Sequence, residues 1–361
     1  MLSSILKPLA ALAIAAALIS GVLLALGASP IGVFSALAAG AFGNWLAFTD
    51  TCVKATPLVF TGLAVALSFQ GAMWNIGADG QLTIGALLAG AVGPYLGELP
   101  HPVAIAVILA AGAIGGAAWG GICGWLRARR DVNEVISTIM LNFVAVQLLS
   151  WAVHGPLMEA SRAYPASTPI AASAQLKLFF EPSRLNFGMV LAVALAITSS
   201  ALLFRTGIGF EIRAAGINRR ASAFFGIPIA RLAVLVMALS GALAGLGGAV
   251  QISAITHRLY EKISPGWGYE AIAVALLARL NPIGLLCTAL LFGALDNGSQ
   301  AMQRAEGVSP VLVQVIQGMV ILILLAFDTT AFSRLTGAIG VRRSAGASAP
   351  ELPPAQRASD A

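Results

Sequence analysis

Residues 102–126 read PVAIAVILAAGAIGGAAWGGICGWL, a run of 25 residues without one charged side chain. About 20 apolar residues are enough for a helix to cross the hydrocarbon core of a bilayer. The whole chain has the same character, because 58% of its 361 residues are hydrophobic and 10% are charged. Ordinary soluble domains have about 45–50% and about 25%. A soluble globular enzyme is therefore excluded, and the sequence predicts an all-α integral membrane protein.

Hydropathy predicts about ten transmembrane helices. They lie at approximately 9–26, 56–70, 81–97, 102–126, 134–155, 187–204, 230–253, 268–281, 283–298 and 309–328. The apolar run of the first is longer than the roughly 7–15 residues typical of a signal peptide, so we interpret it as an uncleaved helix. Residues 1–332 form the predicted transmembrane domain. Residues 333–361, rich in Ala, Ser, Pro and Arg, are predicted to be a disordered cytoplasmic tail.

The distribution of positive charge predicts the orientation of the helices. With both termini in the cytoplasm, fourteen Lys and Arg residues face the cytoplasm and seven, among them Lys54, face outward. Cytoplasmic loops of membrane proteins carry such an excess of positive charge. The same distribution accounts for the net charge of +6, so a nucleic-acid partner is not expected.

Ten helices divide into two sets of five, and the second set must then start from the opposite side of the membrane. The sequence therefore predicts an inverted 5+5 repeat, a plan that many transporters use. Each set contains a hydrophobic hairpin that is interrupted by Gly or Pro, at residues 71–81 and at residues 278–284. Paired interrupted segments of this kind indicate a translocation site.

The first interruption holds the densest group of polar side chains at membrane depth, which are Asn75, Asp79 and Gln81. A carboxylate exposed to lipid is costly, so Asp79 must face water, protein or a helix end. One interpretation is that the group lines the solute pathway. The other is that Asp79 and Gln81 cap the third predicted helix, where the helix dipole favours an acid.

A second polar group lies at the start of the fifth predicted helix. Glu134, Thr138 and Asn142 are spaced i, i+4, i+8 and therefore share one face. This face could line a polar pathway, or Thr138 and Asn142 could join neighbouring helices by hydrogen bonds. Glu270 and Asp296 are expected near the outer ends of their helices, in contact with solvent.

The sequence offers nothing that resembles a catalytic or metal site. The three cysteines and three histidines are scattered, without CxxC or HExxH spacing, and no phosphate-binding loop of the GxxxxGK[ST] type occurs. The chain is therefore expected to bind no metal and no nucleotide of its own. The small-residue runs 112–116 and 241–248 predict close helix packing.

The predicted cytoplasmic segment 205–231 differs from the other loops. It combines five basic residues and the single acid Glu211 with apolar Phe210, Phe224 and Phe225. Such a segment could be an interfacial helix in a basic loop. It could equally be a docking helix for a cytoplasmic partner.

Several motifs resemble those of one transporter family. ATPL at 55–58 followed by WNIGADGQ at 74–81 resembles the signature of permease subunits of bacterial ABC importers for nucleosides and simple sugars. EVISTIMLN at 134–142 is similar to a signature of the nucleoside branch, and AAGIN at 214–218 is similar to the coupling loop. AIAVALL at 271–277, before Asn281-Pro282, fits as well. Asp79 stands where Glu is more frequent in the family.

The resemblance implies a permease in the bacterial inner membrane that works with three partners. These would be a second, related permease subunit, a cytoplasmic ABC ATPase that binds the ATP, and an extracytoplasmic solute-binding lipoprotein. Asn75, Asp79, Gln81 and Asn142 would lie in or near the pathway. The residues that would contact the ATPase are Glu211, Arg213, Ala214, Ala215, Gly216, Asn218, Ala221 and Gly226.

The resemblance leaves the solute open between a nucleoside, with a purine nucleoside as the first expectation, and a simple sugar such as ribose or galactose. An ion-coupled secondary transporter is the remaining alternative. It would need paired ionisable residues at mid-bilayer, of which the sequence indicates few, and it would leave segment 205–231 without a role.

Overall fold

The computed structural model describes residues 27–309 continuously, together with residues 17, 19–21, 23, 24, 311, 312, 314, 315 and 318. About two thirds of each of the predicted first and tenth spans, at 9–26 and 309–328, lies outside the described residues, and so does all of the predicted tail at 333–361. The description below concerns the unit formed by Gly27–Gln314.

Residues 27–309 fold into α-helices, so the all-α prediction is confirmed for this part of the chain. The helices are α1 (Pro30–Phe42), α2 (Trp45–Gln70), α3 (Ala78–Val92), α4 (His101–Arg130), α5 (Glu134–His154), α6 (Phe187–Arg205), α7 (Gly207–Ile217), α8 (Arg219–Phe224), α9 (Ile229–Gln251), α10 (Trp267–Leu277) and α11 (Gly284–Glu306). A π-helical turn at Ile252–Thr256 continues α9.

Five of these helices, namely α2, α4, α5, α6 and α9 with its π-helical turn, are long and apolar enough to cross a membrane. Helices α1 and α10 are apolar but shorter. The described chain therefore supports a multi-pass membrane protein. The count of ten helices, the inverted repeat and the cytoplasmic termini stay predictions.

The largest differences from the predicted helices concern α1, α2 and α11. Helix α1 was not predicted at all, α2 begins at Trp45 rather than at 56, and α11 continues to Glu306 rather than to 298. In α2 and α11 the difference has one cause. Charged side chains such as Lys54 and Arg304 lower the local hydropathy without interrupting the helix.

Helices α4 and α9 form the most extensive helix contact in the described chain. Their glycines face each other, so that a Cβ on Gly116 would overlap the carbonyl oxygen of Gly241, and a Cβ on Gly245 would overlap that of Gly112. Glycine lets two helix backbones approach this closely. The predicted close packing of the two small-residue runs is confirmed, and we call this contact the glycine seam.

The segment between α5 and α6, residues 156–186, packs on the ends of several helices. The Ile170 N–H donates to the His257 carbonyl at 2.9 Å, and the Ala171 N–H donates to the Gly93 carbonyl at 3.1 Å. The His101 ring nitrogen Nδ1 lies 2.8 Å from the Ser173 carbonyl oxygen. Burial lowers the pKa of the His257 imidazole, because the charged form is poorly solvated there.

The two interrupted hairpins meet in the fold. Helix α2 ends at Gln70, before the first interruption, and the Gln70 side chain donates from Nε2 to the carbonyl of Leu280 in the second interruption, at 3.3 Å. In this second interruption Arg279 and Leu280 both adopt positive φ, at 51° and 58°. Residues more than 200 positions apart are thus joined at one end of the described bundle.

Candidate functional site

Asn75 and Gln81 pair through their side-chain amides. Asn75 Nδ2 donates to Gln81 Oε1 at 2.9 Å, and Gln81 Nε2 donates to Asn75 Oδ1 at 3.2 Å. Asn75 also donates to the Ser240 hydroxyl on α9 at 2.8 Å, and Ser240 donates to the Ala64 carbonyl on α2 at 2.6 Å. Both amides are buried. Together these bonds join the first interruption to α2 and α9.

Asn142 joins α5 to the same interruption. Its Oδ1 accepts from the Gly80 N–H at 2.9 Å, and its Nδ2 donates to the Ile76 carbonyl at 2.9 Å and to the Tyr269 hydroxyl at 3.0 Å. Gly80 allows this approach, because a Cβ there would lie 2.7 Å from the Asn142 Oδ1. Asn142 is 3% exposed; its bond to Gly80 is buried, and its bonds to Ile76 and Tyr269 are half-buried.

Asp79 lies in the first turn of α3 but caps a different helix. Its Oδ1 accepts from the Ser264 hydroxyl at 2.6 Å and from the Gly268 N–H, in the first turn of α10, at 3.0 Å. The Ser264 Oγ accepts in turn from the Trp267 N–H at 3.1 Å. The N-termini of α3 and α10 therefore both lie next to this carboxylate, which their dipoles favour.

The other two residues of the predicted stripe on α5 make local contacts. Glu134 follows the N-cap Asn133 and lies 3.2 Å from Arg127 on α4, measured from Oε2 to Nε. The Thr138 hydroxyl donates to the Glu134 carbonyl in its own helix at 2.7 Å. Its methyl group faces Gly77, where an added Cβ would lie 2.9 Å from the Thr138 Cβ.

The structure therefore brings the predicted pathway residues into one buried network rather than into an open channel. Asn75 pairs with Gln81, and Asn142 is hydrogen-bonded to Ile76 and Gly80, which lie between these two residues in the sequence. Asp79 extends the network to α10. Among the contacts of the described residues, those of Glu134 and Thr138 stay within α5 and with Arg127, and do not join the network. The capping interpretation of Asp79 placed it at the start of its own helix, whereas its carboxylate caps α10. The interpretation that it lines the pathway stays a prediction.

The predicted coupling segment forms two short helices, α7 and α8. Five of the predicted contact residues, Glu211, Arg213, Ala214, Ala215 and Gly216, lie on α7. The Asn218 side chain caps α8 by accepting from the Ala221 N–H at 3.0 Å, and Gly226 follows α8 with φ at +88°. The guanidinium of Arg213 lies over the ring of Phe204, 5.2 Å from its centroid.

Helix α7 packs against the end of α2. A Cβ on Gly216 would overlap the carbonyl oxygen of Gln70, so only glycine fits at this contact. Ile212 is fully buried on the same side, whereas Ile217, Phe224 and Phe225 are each more than 80% exposed. The segment thus has one face attached to the interruption and another that displays large apolar side chains.

The sequence analysis missed an ion pair between α2 and α11. Lys54 Nζ lies 2.8 Å from Asp296 Oδ2. The extension of α11 to Glu306 places Asp296 in the middle of that helix and not near its outer end. The signal available in the sequence was a lysine and an aspartate of opposite charge, Lys54 within the largely apolar α2 and Asp296 after the apolar first half of α11.

Among the residues that the structure describes, no group of three or more His, Cys, Asp and Glu side chains could hold a metal ion. The chemistry that the described network offers is hydrogen bonding and charge.

Comparison with known proteins identifies the family. The family model described as branched-chain amino acid transport system / permease component matches residues 47–325, which is more than half of the chain. The chain belongs to this permease family. The permease is therefore a transport component and not an enzyme, as the sequence predicted.

Three relatives cover most of the permease. The glucose ABC transporter permease protein TsgB13 of Haloferax volcanii is 33% identical over 87% of this chain and 86% of its own length. The guanosine ABC transporter permease protein NupP of Bacillus subtilis is 32% identical, over 89% and 93%. The nucleoside ABC transporter permease protein NupB of Lactococcus lactis is 31% identical, over 88% and 89%.

Proposed function

We propose that the permease forms the membrane pathway of an ATP-driven ABC importer for a nucleoside, with a purine nucleoside as the first candidate. The observation that carries the proposal is the similarity to the guanosine permease over nearly the whole of both chains. A simple sugar is the second candidate, because the glucose permease is equally similar. The inner membrane of a bacterium is the proposed location.

The proposed partners are a second permease subunit, a cytoplasmic ABC ATPase and an extracytoplasmic solute-binding lipoprotein. The ATPase would bind α7 and α8, where Ile217, Phe224 and Phe225 are exposed. The basic residues Arg219 and Arg220, also exposed at the start of α8, add positive charge to this surface. Large apolar side chains on an otherwise polar surface favour a protein partner. The permease itself would need no cofactor.

The contacts of α7 suggest how ATP binding would reach the pathway. A movement of α7 would press Gly216 against the Gln70 carbonyl at the end of α2. Gln70 is bonded to Leu280 in the second interruption, so both interruptions would move together. The two halves would then change access from one side to the other as packed units.

Uptake measurements test the solute. Cells with and without an in-frame deletion of the gene are given labelled guanosine, with excess unlabelled ribose or glucose as competitor. For a nucleoside importer we expect deletion to abolish an uptake that neither sugar reduces. Unchanged guanosine uptake together with lost sugar uptake would favour the second candidate, and loss of neither would refute the proposal.

Coupling is tested by the Gly216→Leu variant. We expect this variant to insert but to lose ATP-dependent uptake and to retain less ATPase on purification, since a leucine cannot fit against Gln70. Gly207→Ala is the matched control on the same helix, because a Cβ at Gly207 would meet no atom within 4 Å. Normal uptake by Gly216→Leu would contradict the assigned role of α7.

A further inference from the structure

The Lys54–Asp296 ion pair lies in the interior of two long helices, and both side chains are half-buried. Their exposed fractions are 35% for Lys54 and 44% for Asp296. Lys54 is 16 residues from Gln70 at the end of α2, and Asp296 is 12 residues from Gly284 at the start of α11. At 1.5 Å per residue these positions are about 24 Å and about 18 Å from the helix ends. A hydrocarbon core of about 30 Å that begins at those two helix ends would enclose both.

The ion pair belongs to a larger polar face. Gln300 and Gln303 follow Asp296 on α11 at i+4 and i+7, so the three share one side of the helix, and both glutamines are exposed. Glu270 on α10 is close enough to both Lys54 and Asp296 for electrostatic interaction. The ion pair and the two glutamines lie on one face formed by α2 and α11, with Glu270 of α10 nearby. We call these five side chains the polar wall.

A membrane helix that faces lipid looks different in the same chain. On α6 the exposed side chains Val190, Ile197 and Phe204 follow one another at i+7, and all three are apolar. Charged and amide groups are disfavoured in lipid and are found where a membrane protein contains water or meets protein. The polar wall is thus distinguished from the lipid-facing type of surface by its composition, at a similar exposure.

We propose that the polar wall, formed by Lys54, Glu270, Asp296, Gln300 and Gln303, lines the aqueous pathway of the solute. This inference rests on the proposed transport function and deepens it. The carboxylates and amide oxygens of the wall accept hydrogen bonds, and the Lys54 ammonium and the amide N–H groups donate them. That combination suits a neutral solute rich in hydroxyl groups, such as the ribose of a nucleoside or a free sugar.

The buried network then has a different role from the one that the sequence predicted for it. The amides of Asn75, Gln81 and Asn142 are at most 3% exposed and are satisfied by each other and by the backbone. They hold the first interruption in place. The wall keeps its polar groups half exposed, which a passing solute requires.

Thiol labelling of the assembled importer tests the wall. In a variant without Cys52, Cys123 and Cys287, single cysteines are introduced as Gln300→Cys and Ile197→Cys. Each is treated with a membrane-impermeant, positively charged methanethiosulfonate reagent. We expect the cysteine at 300 to react about a hundredfold faster, since a charged reagent is disfavoured in the lipid interior by about that factor. Saturating guanosine or sugar, whichever is transported, should slow the reaction at 300.

The Gln300→Cys substitution leaves the Lys54–Asp296 ion pair intact. If the Gln300→Cys variant fails to assemble, Gln303→Cys repeats the measurement. Equal labelling rates at positions 300 and 197 would overturn the inference. Labelling of position 300 in the isolated permease but not in the assembled importer would also overturn it, because a second subunit would then cover the wall. Labelling that no transported solute slows would also overturn it. If the unaltered importer takes up neither solute, the proposed function fails, whereas the labelling rates still decide whether the wall meets water.

Charge exchange gives a second measurement in the chain with its native cysteines. We expect Lys54→Asp and Asp296→Lys each to reduce uptake at least about tenfold, because each leaves two like charges in contact. The double variant restores an ion pair and should recover part of the uptake. Full uptake by both single variants would overturn the inference.

Discussion

The bonds of Asn142 make it the side chain whose removal should most loosen the first interruption. Leucine has nearly the same shape as asparagine but has no polar atoms. The Asn142→Leu variant therefore leaves the Gly80 N–H, the Ile76 carbonyl and the Tyr269 hydroxyl without their partner. Gly80 lies in the first turn of α3, where backbone N–H groups have no partner within the helix.

The expected loss of stability follows from these three bonds. At the average of roughly 0.6 kcal/mol for a side-chain hydrogen bond in a membrane protein, they contribute about 2 kcal/mol. The buried Gly80 N–H, left without a partner, costs about 1–3 kcal/mol more, which raises the figure. We therefore expect Asn142→Leu to lower the free energy of unfolding by about 2–5 kcal/mol. The lower bound corresponds to about thirtyfold in the unfolding equilibrium.

Unfolding in mixed micelles with increasing SDS, followed by tryptophan fluorescence, measures this loss. Trp119 is a local reporter, since its indole N–H donates to the carbonyl of Leu141 at 3.3 Å. Thr138→Val is the matched control one turn away, because the Thr138 hydroxyl bonds only within its own helix and the substitution should cost less than about 1 kcal/mol. Equal losses for the two variants would refute the role given to Asn142.

Two further substitutions test the seam and the cap. Gly116→Val should prevent folded protein from accumulating, because the valine side chain would overlap the Gly241 carbonyl. Gly121→Ala should accumulate normally, since its Cβ would lie 3.8 Å from the nearest atom. The yield of each variant in membranes measures the effect, and equal yields would contradict the glycine seam. Asp79→Ala should lower the free energy of unfolding by about 1–2 kcal/mol, because α10 loses its cap and the Gly268 N–H loses its partner. A change below about 0.5 kcal/mol in the same micelle titration would contradict the capping role of Asp79.

The sequence predicts those parts of the structure that depend on local patterns. Apolar runs located the five long helices, and the close approach of α4 to α9 followed from the positions of their glycines. Asn133 and Glu134 were correctly placed at the start of α5. In each case the deciding atoms lie within one helix turn or repeat along one helix face.

Other features depend on partners that are remote in sequence. Helix α1 has only 13 residues, shorter than a hydropathy window of about 19 residues, and it packs on α11, where Asn297 donates to the Gly40 carbonyl at 3.0 Å. Asp79 and its partner Gly268 are 189 positions apart. A single sequence gives the distance along the chain but not the distance in space, so neither contact could be predicted.

The glycine seam has a consequence for motion. Where α4 and α9 touch at Gly112, Gly116, Gly241 and Gly245, backbone meets backbone, and no side chain is present that could change rotamer to accommodate sliding. Graded adjustment of the two helices is therefore blocked, and they must travel as one rigid body. The freedom that transport requires must come from the connections at their ends, so a disulfide that locked α4 to α9 would leave the transport cycle intact.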